Sequence, residues 1–227
     1  MVIDLRGRRA VVTGGARGIG AATVAAFRQA GAEALSVAKS THGDLADPEA
    51  CRCAAASIGA PVHFLVVNHG IWVAEEASLA AMPAEQWRRT MAANLDSYFH
   101  VIRAFVPLIL AGGAIVLVAS TAGQRGEAFH ADYAASKGAT ISLTKSLAVE
   151  MAPAVRVNCV APGWVDTEMC ALPFADGGRA HIAAGIPLAR IADPADIAGP
   201  IVFLCSDLAR HVTGEILNVN GGSVLCG

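Results

Sequence analysis

The chain has 227 residues, of which 54% are apolar and 16% are charged, and its formal net charge is −2 at pH 7. This balance is typical of a folded protein with a large core and argues against disorder. The near-neutral charge gives no sign of a nucleic-acid partner. Asp4 and Arg6 interrupt the start before a signal-peptide core could form, and no apolar run is long enough to span a bilayer. We therefore expect no membrane partner.

The six cysteines and seven histidines are scattered along the chain. No cysteine pair has the C-x-x-C spacing, and no histidine lies in an H-E-x-x-H pattern. We therefore expect reduced thiols in a cytoplasmic protein, and no metal site.

Apolar runs alternate with helical patterns from the first residues to the last. Strands are predicted at residues 9–13, 34–38, 62–67, 114–119, 154–160 and 215–219. Helices are predicted from a glycine-rich turn to about residue 30, and at residues 47–57, 84–110, 130–151 and 194–205. This alternation predicts an α/β fold, a Rossmann-type doubly wound parallel sheet with helices on both faces. Because no linker or repeat is visible, residues 1–227 are predicted to form a single domain.

The turn after the first strand has the sequence TGGARGIG over residues 13–20. Glycines at such a turn let the backbone bend sharply and approach a pyrophosphate, which the free N–H groups of the following helix can bind. A glycine-rich turn is also common as a simple connection between a strand and a helix that binds no ligand. Its position after the first strand of a βαβ series favours the binding function, and the absence of a Gly-Lys-Ser/Thr sequence excludes a Walker A loop.

Tyr133 and Lys137 are four residues apart, so both project from one face of the predicted helix. A nearby ammonium stabilises a phenolate, which would make the tyrosine a better acid or base near neutral pH. An isolated Y-x-x-x-K is usually only a surface pair. Ser120 changes this interpretation, because it follows a buried strand at the edge where α/β sheets bind their ligands.

Together, these features resemble the short-chain dehydrogenase/reductase family over nearly the whole chain. No single motif decides the resemblance, which depends on their order and spacing. The matching features are the TGGARGIG turn, Asp44, Asn68-His69-Gly70, Asn94, Ser120, Tyr133-x-x-x-Lys137, Asn158, Pro162-Gly163, Thr167 and the closing Asn218-Val-Asn-Gly-Gly222.

The resemblance implies an enzyme that moves a hydride between a nicotinamide dinucleotide and a carbonyl or secondary alcohol. It implies that Tyr133 is the general acid/base and that Lys137 binds the nicotinamide ribose and lowers the tyrosine pKa. Ser120 would hydrogen-bond the substrate oxygen, and Asn94 would help to hold a water that links the lysine to solvent. The physical basis is positioning together with electrostatic support for a developing oxyanion.

The resemblance also implies which residues bind the cofactor. Thr167 is the expected contact of the carboxamide. The full predicted set is Gly14, Arg17, Gly18, Ile19, Gly20, Lys39, Ser40, Asp44, Leu45, Asn68, His69, Gly70, Tyr133, Lys137, Pro162, Gly163, Val165 and Thr167.

Two features depart from the family pattern. His69 stands where a small residue is usual, and it either hydrogen-bonds the cofactor or narrows the pocket, of which we favour the second. Only residues 39–43 separate the second strand from Asp44, too few for the usual crossover helix. We therefore predict that this helix is missing and that the usual third strand is rudimentary or absent, which would leave the sheet edge open or covered by a second subunit.

The cofactor preference depends on the end of the second strand. NAD-specific enzymes usually place an acid there, whereas this chain has Ala38 followed by Lys39 and Ser40. With Arg17 in the glycine turn, this favours NADP(H), while NAD(H) stays possible.

Substrate shape is expected to be set by loops after the strands, at residues 122–130 and 165–190. Together with the adjoining Trp164, they contribute Glu127, Phe129, His130, Met169, Leu172, Phe174 and His181, which suggests an organic carbonyl with apolar bulk. The long helices and the apolar terminus at residues 223–227 favour a homotetramer or homodimer.

Three functions fit these observations. The first is a carbonyl reductase or secondary-alcohol dehydrogenase. The second is a 3-oxoacyl-thioester (acyl-carrier-protein) reductase, for which Arg125, Arg179 and Arg190 are weak candidates for a docking patch. The third is a non-catalytic dinucleotide-binding regulator, which the presence of Ser120, Tyr133 and Lys137 argues against.

Overall fold

The computed structural model describes residues 2–226; Met1 and Gly227, the last residue of the predicted apolar terminus, lie outside it. Six parallel strands form a sheet in the order β2-β1-β3-β4-β5-β6. The order reverses between β1 and β3, so a crevice opens at their carboxyl ends, where such sheets bind ligands. The strands are β1 (Arg9–Thr13), β2 (Glu33–Val37), β3 (Val62–Val67), β4 (Ile109–Val118), β5 (Val155–Pro162) and β6 (Ile216–Val219).

Helices cover both faces of the sheet. They are α1 (Gly18–Gln29), α2 (Lys39–His42), α3 (Pro48–Ile58), α4 (Ala84–Met91), α5 (Ser97–Phe105), α6 (Thr121–Arg125), α7 (Ala131–Met151), α8 (Ala171–Phe174), α9 (Gly178–Ala184) and α10 (Pro194–Cys205). Helices α1 and α10 lie over one face, and α3, α5 and α7 over the other. The predicted Rossmann-like α/β parallel sheet is confirmed. No helix between residues 2 and 226 is long and apolar enough to cross a membrane.

The strands are apolar on both sides because each side faces a separate core. In β1, Val12 packs into the core under α1 and α10, whereas its neighbour Val11 packs into the core under α3 and α5. In β3, Val66 packs into the core under α1 and α10, and its neighbour Leu65 packs into the core under α3 and α5. Continuous apolar runs are therefore the expected pattern for these strands, as in other parallel sheets.

The prediction of one continuous helix over residues 84–110 is wrong. The segment contains two helices, and the second ends before residue 110. A π-helical turn at Ala92–Asp96 separates α4 from α5, and α5 ends at Phe105. Pro107 lies in a short 3-10 turn, and β4 begins at Ile109, earlier than the predicted residue 114. Proline has no backbone N–H and clashes with the preceding turn, so it ends the helix here.

The segment after β2 is short but contains a helix. The four-residue α2 occupies Lys39–His42, and Gly43 follows it with φ +84°. In the described part of the chain, no strand lies between β2 and α3, so β2 forms one edge of the sheet.

Candidate active site

The glycine turn between β1 and α1 has a backbone that only glycine tolerates. Gly14 and Gly18 have φ of +66° and +53°. A Cβ on Gly20 would lie 2.1 Å from the carbonyl oxygen of Gly14, so α1 and the turn approach each other too closely for any side chain. Helix α1 begins without a side-chain cap and without an acid in its first turn. Its first N–H groups are therefore available to an anion, which fits a dinucleotide pyrophosphate.

Residues at the end of β3 hold this turn in place. The Asn68 backbone N–H donates to Thr13 Oγ1 at 3.0 Å, and Asn68 Nδ2 donates to the Thr13 carbonyl at 3.2 Å. A Cβ on Gly14 would lie 3.0 Å from the Cα of His69. These hydrogen bonds thus join the ends of β1 and β3 next to the glycine turn, where the phosphates are predicted to bind.

His69 makes hydrogen bonds within the protein through both ring nitrogens. Its Nδ1 lies 2.7 Å from Thr13 Oγ1, and its Nε2 lies 2.8 Å from Ser97 Oγ. Because Ser97 already donates to the Ala93 carbonyl, Nε2 is the donor and Nδ1 the acceptor in this pair of contacts. Burial lowers the pKa of His69 to about 3, so the ring is neutral. In this arrangement the imidazole has no free nitrogen for a cofactor, and the Cα and Cβ of His69 lie against Gly14.

Tyr133 and Ser120 come together from two elements at the carboxyl edge of the sheet. Ser120 follows β4 and caps α6, accepting a hydrogen bond from the Ala122 N–H at 3.2 Å. Tyr133 lies in the first turn of α7 and stays partly exposed. Desolvation by the surrounding protein raises the pKa of Tyr133 to about 12, while the adjacent Ser120 side chain lowers it. The neutral phenol is therefore the form present at pH 7, as a proton donor requires.

Lys137 is buried and is held by neutral groups. Its Nζ donates to the Val118 carbonyl at 2.8 Å and lies 3.5 Å from the Tyr98 hydroxyl. It also lies 5.3 Å from the centre of the Tyr98 ring and 5.8 Å from that of Tyr133. In the described part of the chain no carboxylate pairs with this ammonium. Burial accordingly lowers the pKa of Lys137 to about 8.

Asn94 lies in the π-helical turn between α4 and α5, and both the oxygen and the nitrogen of its side-chain amide are hydrogen-bonded within the protein. Its Oδ1 accepts from the Ile71 N–H at 2.7 Å, and its Nδ2 donates to the Ile71 carbonyl at 2.9 Å and to Ser136 Oγ at 3.1 Å. These bonds place Gly70 against the lysine, since a Cβ there would lie 3.7 Å from Lys137 Nζ. The π turn thus aims Asn94 at the strand ends, as such turns often do at functional sites.

The segment after β5 closes over the glycine turn. Gly163 N–H donates to the Val219 carbonyl at 3.2 Å, and Val165 forms an isolated bridge with Ala192. A Cβ on Gly18 would lie 3.1 Å from the methyl group of Thr167. Thr167 is therefore brought against Gly18 of the glycine turn, while Pro162 and Gly163 lie against Val219 and Asn220, and the buried Val165 lies against Ala192.

Charged residues on the adenosine side of the crevice are exposed and paired. Lys39 Nζ lies 2.6 Å from Asp44 Oδ2, and Arg17 pairs with Glu168 across the crevice. The Lys39 ammonium lowers the pKa of Asp44, as does the Ala46 backbone N–H. Ser40 is exposed in α2, and Leu45 is buried in the core under α3. Exposed pairs of this kind contribute little free energy, so the cations can exchange partners.

Sequence reasoning missed Tyr98 and the Val118 carbonyl, although both hold Lys137. The spacing of Tyr98 from Asn94, four residues, was the available signal, because residues at that spacing share a helix face. A backbone carbonyl leaves no signal in the sequence. The predicted residues of the glycine turn, the β3 end and the catalytic set otherwise meet in one crevice.

Comparison with known proteins agrees with this geometry. A family model described as Enoyl-(Acyl carrier protein) reductase matches residues 33–223. The chain is 35% identical to a 3-oxoacyl-[acyl-carrier-protein] reductase of Vibrio cholerae, over 97% of this chain and 98% of that one. It superposes on a Brucella melitensis short-chain dehydrogenase/reductase (glucose/ribitol dehydrogenase) with a TM-score of 0.92, 31% identity and full coverage of both chains.

A further neighbour carries a cofactor. This candidate NAD(P)-dependent gluconate 5-dehydrogenase of Beutenbergia cavernae, with NADP bound at low occupancy, is 37% identical, with a TM-score of 0.90 over 98% of this chain and 99% of that one. Fold and site define a dinucleotide-dependent oxidoreductase. The chain belongs to the short-chain dehydrogenase/reductase family and uses a nicotinamide cofactor.

Proposed function

We propose that the enzyme interconverts a small-molecule ketone or aldehyde and the corresponding alcohol, with Tyr133 as general acid/base. The observation that carries this proposal is the ammonium of Lys137, buried beside Tyr133 without a carboxylate partner in the described residues. Burying an unpaired ammonium is unfavourable for folding, so a role in the reaction explains its presence. A non-catalytic regulator would need neither this lysine nor a proton donor beside it.

In the reducing direction, Tyr133 gives its proton to the carbonyl oxygen while Ser120 donates a hydrogen bond to the same oxygen. Lys137 Nζ lies 5.8 Å from the centre of the Tyr133 ring, where its charge favours the tyrosinate that remains. Asn94 fixes Ile71 and Gly70 beside the lysine. A nicotinamide cofactor held in the crevice would supply the hydride in reduction and accept it in oxidation.

We propose that the cofactor is NADP(H). The first residues after β2 are Ala38, Lys39 and Ser40, and none of them supplies the acid that would bind a free ribose hydroxyl and repel a phosphate. Lys39 and Arg17 are exposed cations on this side of the crevice. Each can leave its present carboxylate partner for a 2′-phosphate at little cost, because exposed pairs are weak. Residues Asp44, Leu45 and Asn68 would line the adenine side.

The crossover after β2 is proposed to be a shortened form of the one in longer relatives. The alignment with the Vibrio cholerae reductase extends over 243 positions, more than the 227 residues of this chain, so this chain has gaps relative to it. We place part of the missing length between β2 and α3, where the four-residue α2 stands and β2 is left as a sheet edge. The chain is further proposed to form one domain, with residues 165–190 as its substrate loop.

A homodimer or homotetramer is proposed from the exposed apolar side chains. Phe99 on α5 and Val149 on α7 are 51% and 82% exposed, and Leu225 near the terminus is 89% exposed. Strand β6 also forms a free edge of the sheet. Exposed apolar groups and an open edge are both features that a second subunit would cover.

A second candidate is reduction of a 3-oxoacyl thioester, which the name of the Vibrio cholerae relative favours. A carrier protein would need free basic groups near the pocket. Arg125 pairs with Glu127 at 3.0 Å, Arg179 with Asp166 at 2.5 Å and Arg190 with Asp196 at 2.5 Å. These exposed pairs are as weak as those of Lys39 and Arg17, so the pairing alone does not decide against a carrier protein. We place this substrate second because only the name of the relative favours it.

Initial rates with a panel of ketones, alcohols and a 3-oxoacyl thioester, measured with NADPH and NADH in parallel, test the proposal. Tyr133→Phe is expected to lower kcat by about 10²–10⁴-fold, because it removes the proton that the carbonyl oxygen receives. Its affinity for the cofactor is expected to stay within about twofold, measured by nucleotide fluorescence. Trp87→Phe, an aromatic change on α4, is the control variant. Turnover by Tyr133→Phe at the wild-type rate would contradict the mechanism.

A further inference from the structure

Four aromatic side chains form a continuous chain of ring contacts beside the crevice. The Trp72 ring centre lies 4.9 Å from that of His130 and 6.3 Å from that of Trp164, which it meets edge to face at 89°. The Trp164 ring lies 5.9 Å from that of Phe174. Arg179 covers Phe174 with its guanidinium at 4.6 Å. We call Trp72, His130, Trp164 and Phe174 the aromatic wall.

The wall is placed by the same segments that build the catalytic set. Trp72 follows Gly70 by two residues, and the Gly70 Cα faces Lys137 Nζ. His130 precedes Tyr133 by three residues at the start of α7, and Trp164 follows the Pro162-Gly163 pair at the end of β5. Phe174 belongs to α8 in the substrate loop. The wall therefore adjoins the position where the reacting carbonyl must lie, near Tyr133.

His130 is the one ring of the wall that can both donate and accept hydrogen bonds, and neither of its ring nitrogens has a partner among the described residues. The residue is 6% exposed, and its buried Nδ1 has no partner. In residues 2–226 no side chain or backbone group bonds to its Nε2 either. Nδ1 is enclosed by protein whereas Nε2 is not, so Nε2 is the nitrogen that a bound molecule can reach. The ring is enclosed by aromatic carbon on the Trp72 side.

We propose that the aromatic wall is a subsite for a flat ring of the substrate that bears a hydroxyl group. This rests on the proposed function and deepens it by naming the substrate class, a hydroxylated aryl ketone or the matching aryl carbinol. The indoles of Trp72 and Trp164 contact the ring in the offset or edge-to-face geometries that aromatic pairs prefer, which a flexible alkyl chain cannot form. The hydroxyl bonds to Nε2 of His130, the ring nitrogen that the surrounding protein leaves accessible.

The first test compares kcat/KM for phenyl methyl ketone and methyl hexyl ketone, which have equal numbers of carbon atoms. The wild type is expected to favour the aryl ketone, and Trp72→Leu is expected to reduce that preference about tenfold. Trp87→Leu, which changes a tryptophan outside the wall, should leave the preference unchanged. An equal loss of activity on both ketones in Trp72→Leu would overturn the stacking role, because a general structural defect has that effect.

The second test examines His130 with ortho-, meta- and para-hydroxyacetophenone against the unsubstituted ketone. The wild type should favour one hydroxylated isomer, and His130→Leu should abolish that preference, a change of about tenfold. The exposed His211→Leu is the matched control. A wild type that makes no distinction between hydroxylated and plain ketones would overturn the role of His130.

A binding measurement separates this proposal from the proposed function. Hydroxyacetophenone is titrated into the Tyr133→Phe protein, and quenching of tryptophan fluorescence is followed. Saturable quenching that weakens about tenfold in the Tyr133→Phe/Trp72→Leu double variant supports the subsite even if no ketone is turned over. Turnover of ketones without such binding would leave the proposed function in place and overturn the subsite.

Discussion

At the scale of single residues, Lys137 illustrates a conflict between stability and activity. Its ammonium is 4% exposed and is held by the Val118 carbonyl and the Tyr98 hydroxyl, not by a carboxylate. Burial lowers its pKa from 10.5 to about 8, a difference equivalent to about 3 kcal/mol. At pH 7, below this folded pKa, the lysine is charged in both states, so the folded state carries the full cost. Below pH 8 this residue therefore opposes folding.

Replacing Lys137 by methionine is expected to raise the free energy of unfolding at pH 7 by about 1–3 kcal/mol while abolishing turnover. Methionine fills a similar volume without a buried charge, and Tyr98 still donates to the Val118 carbonyl at 3.1 Å. Urea denaturation measures the change. Lys145→Met, on the exposed face of the same helix, is the control and should change stability little. If Lys137→Met is no more stable than the wild type, the buried ammonium does not lower the free energy of unfolding, and the prediction is refuted.

The residues of the site divide into those that a sequence can reveal and those that it cannot. Ser120, Tyr133 and Lys137 were predicted because their order and spacing carry the information. His69 was expected to narrow the pocket, but its bonds to Thr13 and Ser97 join residues far apart in the chain. Trp72 was missed for the same reason, since its ring partners come from distant segments. Contacts between distant segments need the fold before they can be seen.

At the scale of elements, the end of β2 is expected to decide cofactor choice. Ala38 stands at the N-cap of α2 with φ −133° and ψ 154°, a conformation that aspartate adopts readily. Ala38→Asp should lower the ratio of kcat/KM for NADPH to that for NADH by at least about tenfold, because the carboxylate repels a 2′-phosphate and binds ribose hydroxyls. Ala38→Asn, with the same shape and no charge, is the control. An unchanged ratio in Ala38→Asp would place the phosphate elsewhere.

The carboxyl end of α10 depends on one side chain of β5. Arg156 donates to the carbonyls of Leu204 at 2.7 Å, Cys205 at 3.2 Å and Ser206 at 3.2 Å, so it satisfies oxygens that the helix leaves open. Arg156→Met is expected to lower the free energy of unfolding by about 2–3 kcal/mol, since these half-buried acceptors lose their donor. Thermal and urea unfolding measure it against Arg210→Met, an exposed arginine nearby. Equal stability of the two variants would refute this cap.

The order and type of the elements followed from periodicity, but two boundaries did not. Residues 84–110 read as one helix because apolar residues recur at helical spacing throughout, yet Pro107 and the π turn at Ala92–Asp96 divide the segment. The π turn has no local signature, because it depends on Asn94 bonding to Ile71 in another segment. Helix α2 is too short for any periodic pattern.

At the scale of the whole molecule, the sheet is well covered but the outer faces of the helices are not. Tyr98 and Phe105 fill the core under α5, while Phe99 on the same helix is half exposed. Val149 is exposed near the end of α7, the longest described helix. Because α5 and α7 lie over the same side of the sheet, their outward apolar groups favour one shared face between subunits.

The double variant Phe99→Asp/Val149→Asp is therefore expected to dissociate the assembly. Light scattering should give a multiple of 23.2 kDa for the wild type and a single chain mass for the variant, because like charges would meet across a symmetric interface. Val2→Asp, at a more exposed apolar position outside the helices, should keep the wild-type mass. If the wild type has the mass of one chain, the proposed oligomer is refuted. If the double variant keeps the mass of the wild-type oligomer, the interface lies on another face, such as the edge of the sheet at β6 beside Leu225.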